Sequence, residues 1–195
     1  MNETRPIPLL PADTAQPADL VAAIRQRRGG GLLKIDRMLL HSPALAEGWN
    51  IYLGKVRTDL SVSARHKELA MCVVALLNGA DYEFEHHAPL YISEGATAEQ
   101  AQALAEIDQP NFPIGLFPEE DQDVIALSRA MTRDILVPGS LKRRLVKRHG
   151  VQQTIEIIAV VATYNMVSRF LVALDIQTEH DEAKRAELLM QVLQA

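Results

Sequence analysis

The residues of this sequence that could do chemistry are concentrated in one short stretch, DYEFEHH, at positions 81–87. Glu83 and His87 are four residues apart, so a helix places both side chains on one face within hydrogen-bonding reach. A carboxylate beside an imidazole can fix one tautomer of the ring and move a proton near neutral pH. The spacing therefore indicates acid/base chemistry, with an ordinary solvated Glu–His surface pair as the alternative.

Metal binding is a second interpretation of the same stretch. Glu83, His86 and His87, with the more distant Glu68, have side chains that bind zinc or iron. His86 and His87 are adjacent, however, so on a helix their side chains diverge by about 100° and cannot easily hold one ion together. The sequence therefore predicts a site that uses no metal and no cofactor.

Cys72 is the only cysteine in the chain. A single cysteine excludes an intrachain disulfide, a Cys-x-x-Cys redox pair and a thiolate-rich zinc site. Cys72 falls on an apolar stripe with Leu69, Val73 and Leu76 at helical spacing, so we predict a buried and unreactive thiol.

The overall composition is that of an ordinary globular domain, with 195 residues of which 48% are hydrophobic and 23% are charged. The formal net charge is -5, so the chain has no positive field for nucleic acid or anionic lipid. The N-terminal residues lack the pattern of a signal peptide, and no window contains the roughly 20 apolar residues that a membrane span needs. We therefore predict a cytoplasmic protein with neither nucleic acid nor membrane as a partner.

The elements that position the acid/base residues are all predicted to be helices. Four prolines within residues 1–17 predict an extended N-terminal arm, and residues 18–195 are predicted to form a single all-α domain. Ser63, Asp81 and Thr97 are predicted N-caps. No stretch alternates apolar and polar residues for long enough to predict a strand. The predicted helices cover about 19–28, 32–40, 43–57, 64–77, 82–95, 98–107, 119–134, 141–148, 151–174 and 181–194.

One loop has an unusual composition. The segment DQPNFPIGLFPEED, at positions 108–121, is rich in Pro and Gly and contains Phe112 and Phe117. Aromatic side chains in such a loop predict that it lies over a pocket or an interface.

The segment ELAMCVVALLNGADYEFEHHAPLYISEGATAEQAQAL, followed later by EIIAVVATYNMVSRFLVAL, resembles the carboxymuconolactone decarboxylase and alkylhydroperoxidase D superfamily. The resemblance covers roughly residues 40–178. It implies an all-helical subunit of the alkylhydroperoxidase D-like fold that assembles as a trimer or hexamer. It also implies a site at or near a subunit interface.

Peroxidase members of that superfamily carry a Glu, then a Cys-x-x-Cys pair, then a His four residues beyond the second cysteine. Glu68 and His87 match this pattern, whereas Ala80 and Glu83 stand at the two cysteine positions. A dithiol mechanism needs one thiolate to attack the peroxide and a second thiol to resolve the sulfenic acid, so this chain cannot use it. Superfamily members without the cysteines include decarboxylases that resemble cofactor-free acid/base enzymes acting on small cyclic carboxylates or lactones.

The residues and the resemblance together predict a cofactor-independent decarboxylase, isomerase or lactone hydrolase with a small-molecule substrate. His87 is the predicted general acid/base. Glu83 is predicted to orient His87 or to carry a proton directly, and Glu68 is the predicted second carboxylate.

Three further residues are predicted to contact the substrate. Tyr82 and His86 flank the acid/base pair, and the planar guanidinium of Arg169 suits a substrate carboxylate. Two alternatives stay open: a metal- or haem-dependent enzyme of hydroperoxide chemistry, and a non-enzymatic oligomeric protein that binds a small molecule.

Overall fold

The structure is a computed structural model, and it describes residues 6–178. This part of the chain contains helices, turns and loops and no strand, which confirms the predicted all-α fold. The helix predicted over 181–194 lies outside the described residues. The α-helices are α1 (Ala18–Arg28), α2 (Lys34–Leu39), α3 (Pro43–Thr58), α4 (Ala64–Leu77), α5 (Asp81–Ser93), α6 (Ala98–Ala103), α7 (Glu119–Arg133) and α8 (Gly139–Ala173), and two 3₁₀ turns lie between α6 and α7.

The chain divides into two compact units, with the boundary after Asp59. In the first unit, residues 6–17 form no helix, and side chains of α1 and its neighbours hold them in place. Arg25 donates a hydrogen bond to the carbonyl of Thr14 at 3.1 Å, and the ring of His41 lies 2.7 Å from the carbonyl oxygen of Pro8. These bonds satisfy backbone carbonyls that no helix or sheet ladder serves.

The second unit is built around α4. This helix packs against α5, α7 and α8, and every side chain from Leu69 to Ala75 is fully buried. The sequence predicted one buried stripe, whereas burial extends around the whole helix over this range. A helix that is apolar all round must be enclosed by neighbours on every side, which three packed helices provide here.

Two of the three predicted N-caps are confirmed. The Ser63 hydroxyl accepts a hydrogen bond from the backbone N–H of His66 at 3.2 Å at the start of α4. The Thr97 hydroxyl accepts from the Gln100 N–H at 3.1 Å, and the Gln100 side chain accepts from the Thr97 N–H at 3.0 Å. These bonds satisfy N–H groups that have no partner within the helix.

The third N-cap prediction is wrong, because Ala80 and not Asp81 is the N-cap of α5. Gly79 adopts a left-handed conformation with φ 65°, and this ends α4 so tightly that the carbonyl of Ala80 already accepts the first hydrogen bonds of α5. Asp81 is therefore the first helical residue, where its negative charge still interacts favourably with the helix dipole.

The helix α8 is interrupted at Gly150, whose φ of 76° and ψ of 173° are not helical. The sequence predicted this break, since glycine tolerates a positive φ. By length and composition α8 is the one helix among residues 6–178 that could cross a membrane. Its packing against α4 and α7 is equally typical of the core helix of a soluble protein, and the cytoplasmic location stays a prediction.

A buried ion pair joins α7 to the start of α4. Asp121 is fully buried and accepts a hydrogen bond of 2.6 Å from Arg65, with His66 at 3.3 Å and the Tyr91 hydroxyl at 3.4 Å. Burial alone would raise the pKa of Asp121, but hydrogen bonds from His66 and Arg65 and the charge of Arg65 lower it overall. The ionised carboxylate thereby connects α7 to α4 and α5, the two helices that carry the predicted acid/base residues.

Candidate active site

Glu68 and His87 meet across two neighbouring helices. The Ser63 cap starts α4 one turn before Glu68, and α5 packs alongside and carries His87 on its second turn. Nδ1 of His87 lies 2.6 Å from Oε2 of Glu68. An ionised carboxylate can only accept hydrogen bonds, so Nδ1 carries the hydrogen and donates the hydrogen bond to Glu68. The sequence predicted both residues, and the structure brings them into direct contact.

This hydrogen bond lies almost entirely out of water. His87 is 4% exposed, and the side chain of Glu68 is 13% exposed. Charge-assisted hydrogen bonds are shorter and stronger than neutral ones, and burial reduces the competition from water. The hydrogen bond to Glu68 therefore holds the ring in one tautomer.

Tyr164 of α8 packs edge-on against the His87 ring, with a centroid distance of 5.0 Å and an interplanar angle of 84°. Tyr164 is 2% exposed. The sequence analysis did not place it at the site. The one feature that could have indicated Tyr164 is a polar aromatic residue within an apolar helical run. Ordinary core packing often shows the same feature. Together Glu68 and Tyr164 define both the plane and the position of the imidazole.

Glu83 is also buried, with 2% of its surface exposed, one helical turn before His87. Cys72 lies on α4 one turn after Glu68. Burial raises the pKa of the Cys72 thiol well above its ordinary value, and the charges of Glu68 and Glu83 raise it further. Both carboxylates therefore act on the same small region of the core, in which the thiol stays protonated.

The burial of Cys72 was predicted, and it is confirmed, since none of its surface is exposed. Thiol chemistry requires the thiolate. Burial and two neighbouring carboxylates all disfavour the thiolate of Cys72, which supports the prediction that this thiol is unreactive.

Tyr82 and His86 form a second pair on α5. Their rings stack with a centroid distance of 4.5 Å and an interplanar angle of 29°, and Nδ1 of His86 lies 2.7 Å from the backbone carbonyl oxygen of Tyr82. Tyr82 is buried and His86 is half-buried. Each residue of this pair precedes a residue of the Glu83–His87 face by one position, so the two pairs occupy adjacent faces of α5. Their predicted contact with a substrate stays a prediction.

Arg169 lies on the exposed side of α8 and is engaged within its own helix. Its guanidinium donates to the backbone carbonyl of Asn165 at 2.8 Å and to the side-chain oxygen of Asn165 at 2.5 Å. Asn165 in turn accepts a hydrogen bond from Asn78 at the end of α4. These contacts hold the guanidinium along its own helix, and the role of Arg169 as an anchor for a substrate carboxylate stays a prediction.

Over residues 6–178, no three side chains of His, Cys, Asp or Glu come together in a group that could hold a metal ion. An open cavity of about 910 Å³ lies elsewhere in the second unit, lined by α7, the start of α8 and the loop before α7. None of the six predicted site residues lines it. The loop segment with Phe112 does line it, as the sequence analysis predicted for a pocket, although this pocket is separate from the Glu68–His87 pair.

The sequence of residues 43–111 matches the model of the carboxymuconolactone decarboxylase family. This range contains Glu68, Glu83 and His87, so the predicted acid/base residues all lie within the matched part. The resemblance to this family is thereby confirmed. No curated protein matches the sequence.

Solved structures with the same fold include the debrominase Bmp8 and an uncharacterized peroxidase-related protein from Silicibacter sp. TM1040. The Bmp8 complex with 2,3,4-tribromopyrrole matches with a TM-score of 0.74 at 15% identity, over 96% of this chain and 98% of that chain. The apo form of Bmp8 matches with a TM-score of 0.74 at 16% identity, over 97% of this chain and 98% of that chain. The Silicibacter protein matches with a TM-score of 0.71 at 14% identity, over 91% of this chain and 94% of that chain. At these identities the likeness establishes the fold.

Proposed function

We propose that this chain, whose residues 43–111 match the model of the carboxymuconolactone decarboxylase family, is a cofactor-independent acid/base enzyme acting on a small carboxylated or lactone substrate. The observation that carries the proposal is the hydrogen bond of 2.6 Å between His87 and Glu68. A carboxylate and an imidazole that are held in direct contact and largely shielded from water are suited to general acid/base catalysis.

In this mechanism Nε2 of His87 removes a proton from the substrate. The positive charge that develops on the ring is stabilised by Glu68 at Nδ1, so the cost of charging a buried imidazole is reduced. The imidazolium then returns the proton to the product at a different atom or, in a decarboxylation, to the carbon that keeps the electron pair when CO₂ is lost. The edge of Tyr164 keeps the ring from rotating between the two transfers.

Glu83 has the role of a second carboxylate beside His87. Its position one turn before His87 on α5 fits a group that relays a proton to or from the substrate. Glu83 is almost completely buried, so its carboxyl group lies in the same water-poor region of the core as His87. Glu83 and His87 therefore act as parts of one proton-transfer unit.

Burial favours a second candidate, a non-enzymatic protein that binds a small molecule. His87 and Glu83 are only 4% and 2% exposed, so a substrate reaches them only after some side chain or helix has moved. The two candidates differ in one respect: the enzyme exchanges protons with its ligand, and the binding protein does not.

Proton exchange with solvent provides the experiment that tests the proposal without knowledge of the natural substrate. The full chain is incubated in D₂O with a panel of small cyclic carboxylic acids, lactones and substituted pyrroles, and deuterium incorporation and product formation are followed by NMR. The pyrroles are included because the similar protein Bmp8 binds 2,3,4-tribromopyrrole. Catalysed exchange or turnover of one class supports the enzyme. Saturable binding without exchange supports the binding protein.

The hydroperoxide alternative has its own test. A thiol-based reaction is disfavoured by the raised pKa of Cys72. A metal- or haem-dependent reaction requires bound metal, which elemental analysis and the visible spectrum of the purified protein detect directly. Stoichiometric iron or haem together with peroxide consumption would favour this alternative.

The protein is further proposed to be a homo-oligomer, a trimer or hexamer. Support comes from α8, whose outer face is apolar: Val151, Ile155 and Met166 are 63%, 61% and 42% exposed and repeat at helical spacing. Light scattering after size-exclusion chromatography is expected to give three or six times the chain mass of 21.6 kDa. The variant Ile155→Glu is expected to shift the protein toward the monomer, with exposed Lys142→Glu as the control. A wild-type monomer at micromolar concentration contradicts the proposal.

A further inference from the structure

The open cavity of about 910 Å³ in the second unit has three walls of different character. One face of α7 forms the first wall, and its residues recur at intervals of three and four, as one helical face requires. The loop that contains Phe112 and Ile114 forms the second wall, and the start of α8 forms the third. The volume lies within the range of pockets that hold small organic ligands.

Four arginines and three carboxylates line the cavity, and most of these charges are paired with each other. Arg144 lies 2.9 Å from Asp123, while Arg148 lies 3.4 Å from Asp123 and 3.1 Å from Glu119. Paired arginines contribute little positive field toward a ligand. The α8 wall is therefore close to neutral.

The α7 wall carries the two remaining arginines. Arg133 forms an ion pair with Asp108, which immediately precedes the lining loop. Arg129 is half-buried and, among residues 6–178, has neither a hydrogen bond nor an ion pair. Arg129 lines the cavity next to the small side chains of Ala126 and Ala130, which also line it. Its donors are therefore available to a ligand that enters the cavity, since no residue of 6–178 uses them.

The loop wall is apolar. Pro110, Phe112 and Ile114 face the cavity, and Phe112 stacks on the buried ring of Phe117 with a centroid distance of 5.5 Å. This stacking holds the ring of Phe112 in place before a ligand binds. Binding therefore costs little additional side-chain entropy. A ligand with an apolar body would bury this surface, which otherwise lies open to water.

We propose that this cavity binds an organic monoanion, a carboxylate with an aromatic or aliphatic body, whose carboxylate forms a bidentate pair with Arg129 and whose body packs on the loop at Phe112. A monoanion fits better than a phosphate ester or a polyanion, because Arg129 is the single cation of the lining without a carboxylate partner in the described residues. The exposed carboxylate of Asp134, which also lines the cavity, disfavours further negative charge on the ligand. The site is separate from the Glu68–His87 pair, and it stands whether or not the proposed enzyme function is correct.

Titration of the full chain with sodium benzoate and sodium hexanoate, followed by protein-observed NMR, tests the site. Saturable shifts are expected for residues of α7 and of the 109–114 loop. Benzyl alcohol, which has the same ring and no charge, is expected to bind at least about 10-fold more weakly, since charge-assisted hydrogen bonds provide that difference.

Variants of Arg129 test whether this arginine binds the carboxylate of the ligand. Arg129→Gln is expected to weaken benzoate binding by about 10-fold or more, Arg129→Lys is expected to retain part of the affinity, and Arg143→Gln, an exposed arginine of α8 outside the cavity, is expected to change nothing. Thermal unfolding of each variant verifies that the fold is kept. Absence of saturable binding of either carboxylate to the wild type, or equal binding to Arg129→Gln and the wild type, would overturn the proposal.

Discussion

Replacing His87 with Ala is expected to reduce catalysed proton exchange or turnover by about 10²-fold or more while the helical fold is kept. The physical reason is that His87 is the group that takes up and returns the proton, with its ring held by Glu68 at 2.6 Å and by the edge of Tyr164. Glu83→Gln is expected to lose about 10²-fold or more, because the amide keeps the shape of the side chain but cannot carry the proton.

Glu94→Gln is the matched control for these variants. Glu94 follows directly on the last residue of α5 and is exposed, so the same substitution there removes a charge from the same helix without touching the site. Rates are measured over a pH range in the deuterium-exchange assay, and circular dichroism verifies the fold. Wild-type rates in both His87→Ala and Glu83→Gln would refute the assignment of the proton-transfer unit.

The second large effect is expected on stability. Asp121→Asn is expected to lower the free energy of unfolding by about 3 kcal/mol, since it leaves the Arg65 guanidinium partly buried without its charged partner. For a chain of this length that loss corresponds to a decrease of about 6–12 °C in the melting temperature. Asp59→Asn, which breaks the exposed pair with Lys55, is the control and is expected to leave the melting temperature unchanged.

The same pair predicts a pH dependence with a definite sign. The folded-state pKa of Asp121 lies below its unfolded value, so the unfolded chain binds the proton first as the pH falls. The stability that Asp121 contributes is complete above about pH 4 and is lost as the pH falls through the folded-state pKa. The difference between wild type and Asp121→Asn should therefore be constant from pH 7 to pH 5 and should shrink below about pH 4. A difference that is absent at pH 7, or that grows in acid, would contradict this account.

Local signals in the sequence predicted the helices well, because caps and breaks act within a few residues. Ser63 and Thr97 cap as predicted, and Gly150 breaks α8 as predicted. The cap prediction failed at Asp81 for a local reason as well, since the tight end of α4 at Gly79 moved the cap back to Ala80. Several good cap residues near one turn cannot be ranked without knowledge of how the preceding helix ends.

The residues that contact His87 could not be predicted from such local signals. Helical spacing placed Glu83 beside His87, and the resemblance added Glu68, but only the packing of α4 against α5 brings Glu68 Oε2 to Nδ1. The contact of Tyr164 with His87 likewise depends on where α8 crosses the site. Contacts between residues 19 and 77 positions apart carry no periodic signal, so a single sequence does not reveal them.

The sequence predicted only part of the cavity that contains Arg129. The composition of the loop predicted that Phe112 covers a pocket, and Phe112 lines the 910 Å³ cavity. At the start of α8, Arg144 and Arg148 neutralise Asp123 at the cavity wall. Only the three-dimensional arrangement determines which carboxylate pairs with each arginine. It therefore also determines which arginine of the lining has no carboxylate partner in the described residues.

NMR of ¹⁵N-labelled protein detects the hydrogen bond between His87 and Glu68, on which the proposed chemistry depends. We expect a protected, strongly downfield Nδ1–H proton of His87 that moves upfield in Glu68→Gln, because a neutral amide oxygen is a weaker acceptor than a carboxylate. Glu94→Gln should leave the resonance unchanged. A His87 ring protonated only at Nε2, or an Nδ1–H resonance that is the same in wild type and Glu68→Gln, would contradict the account.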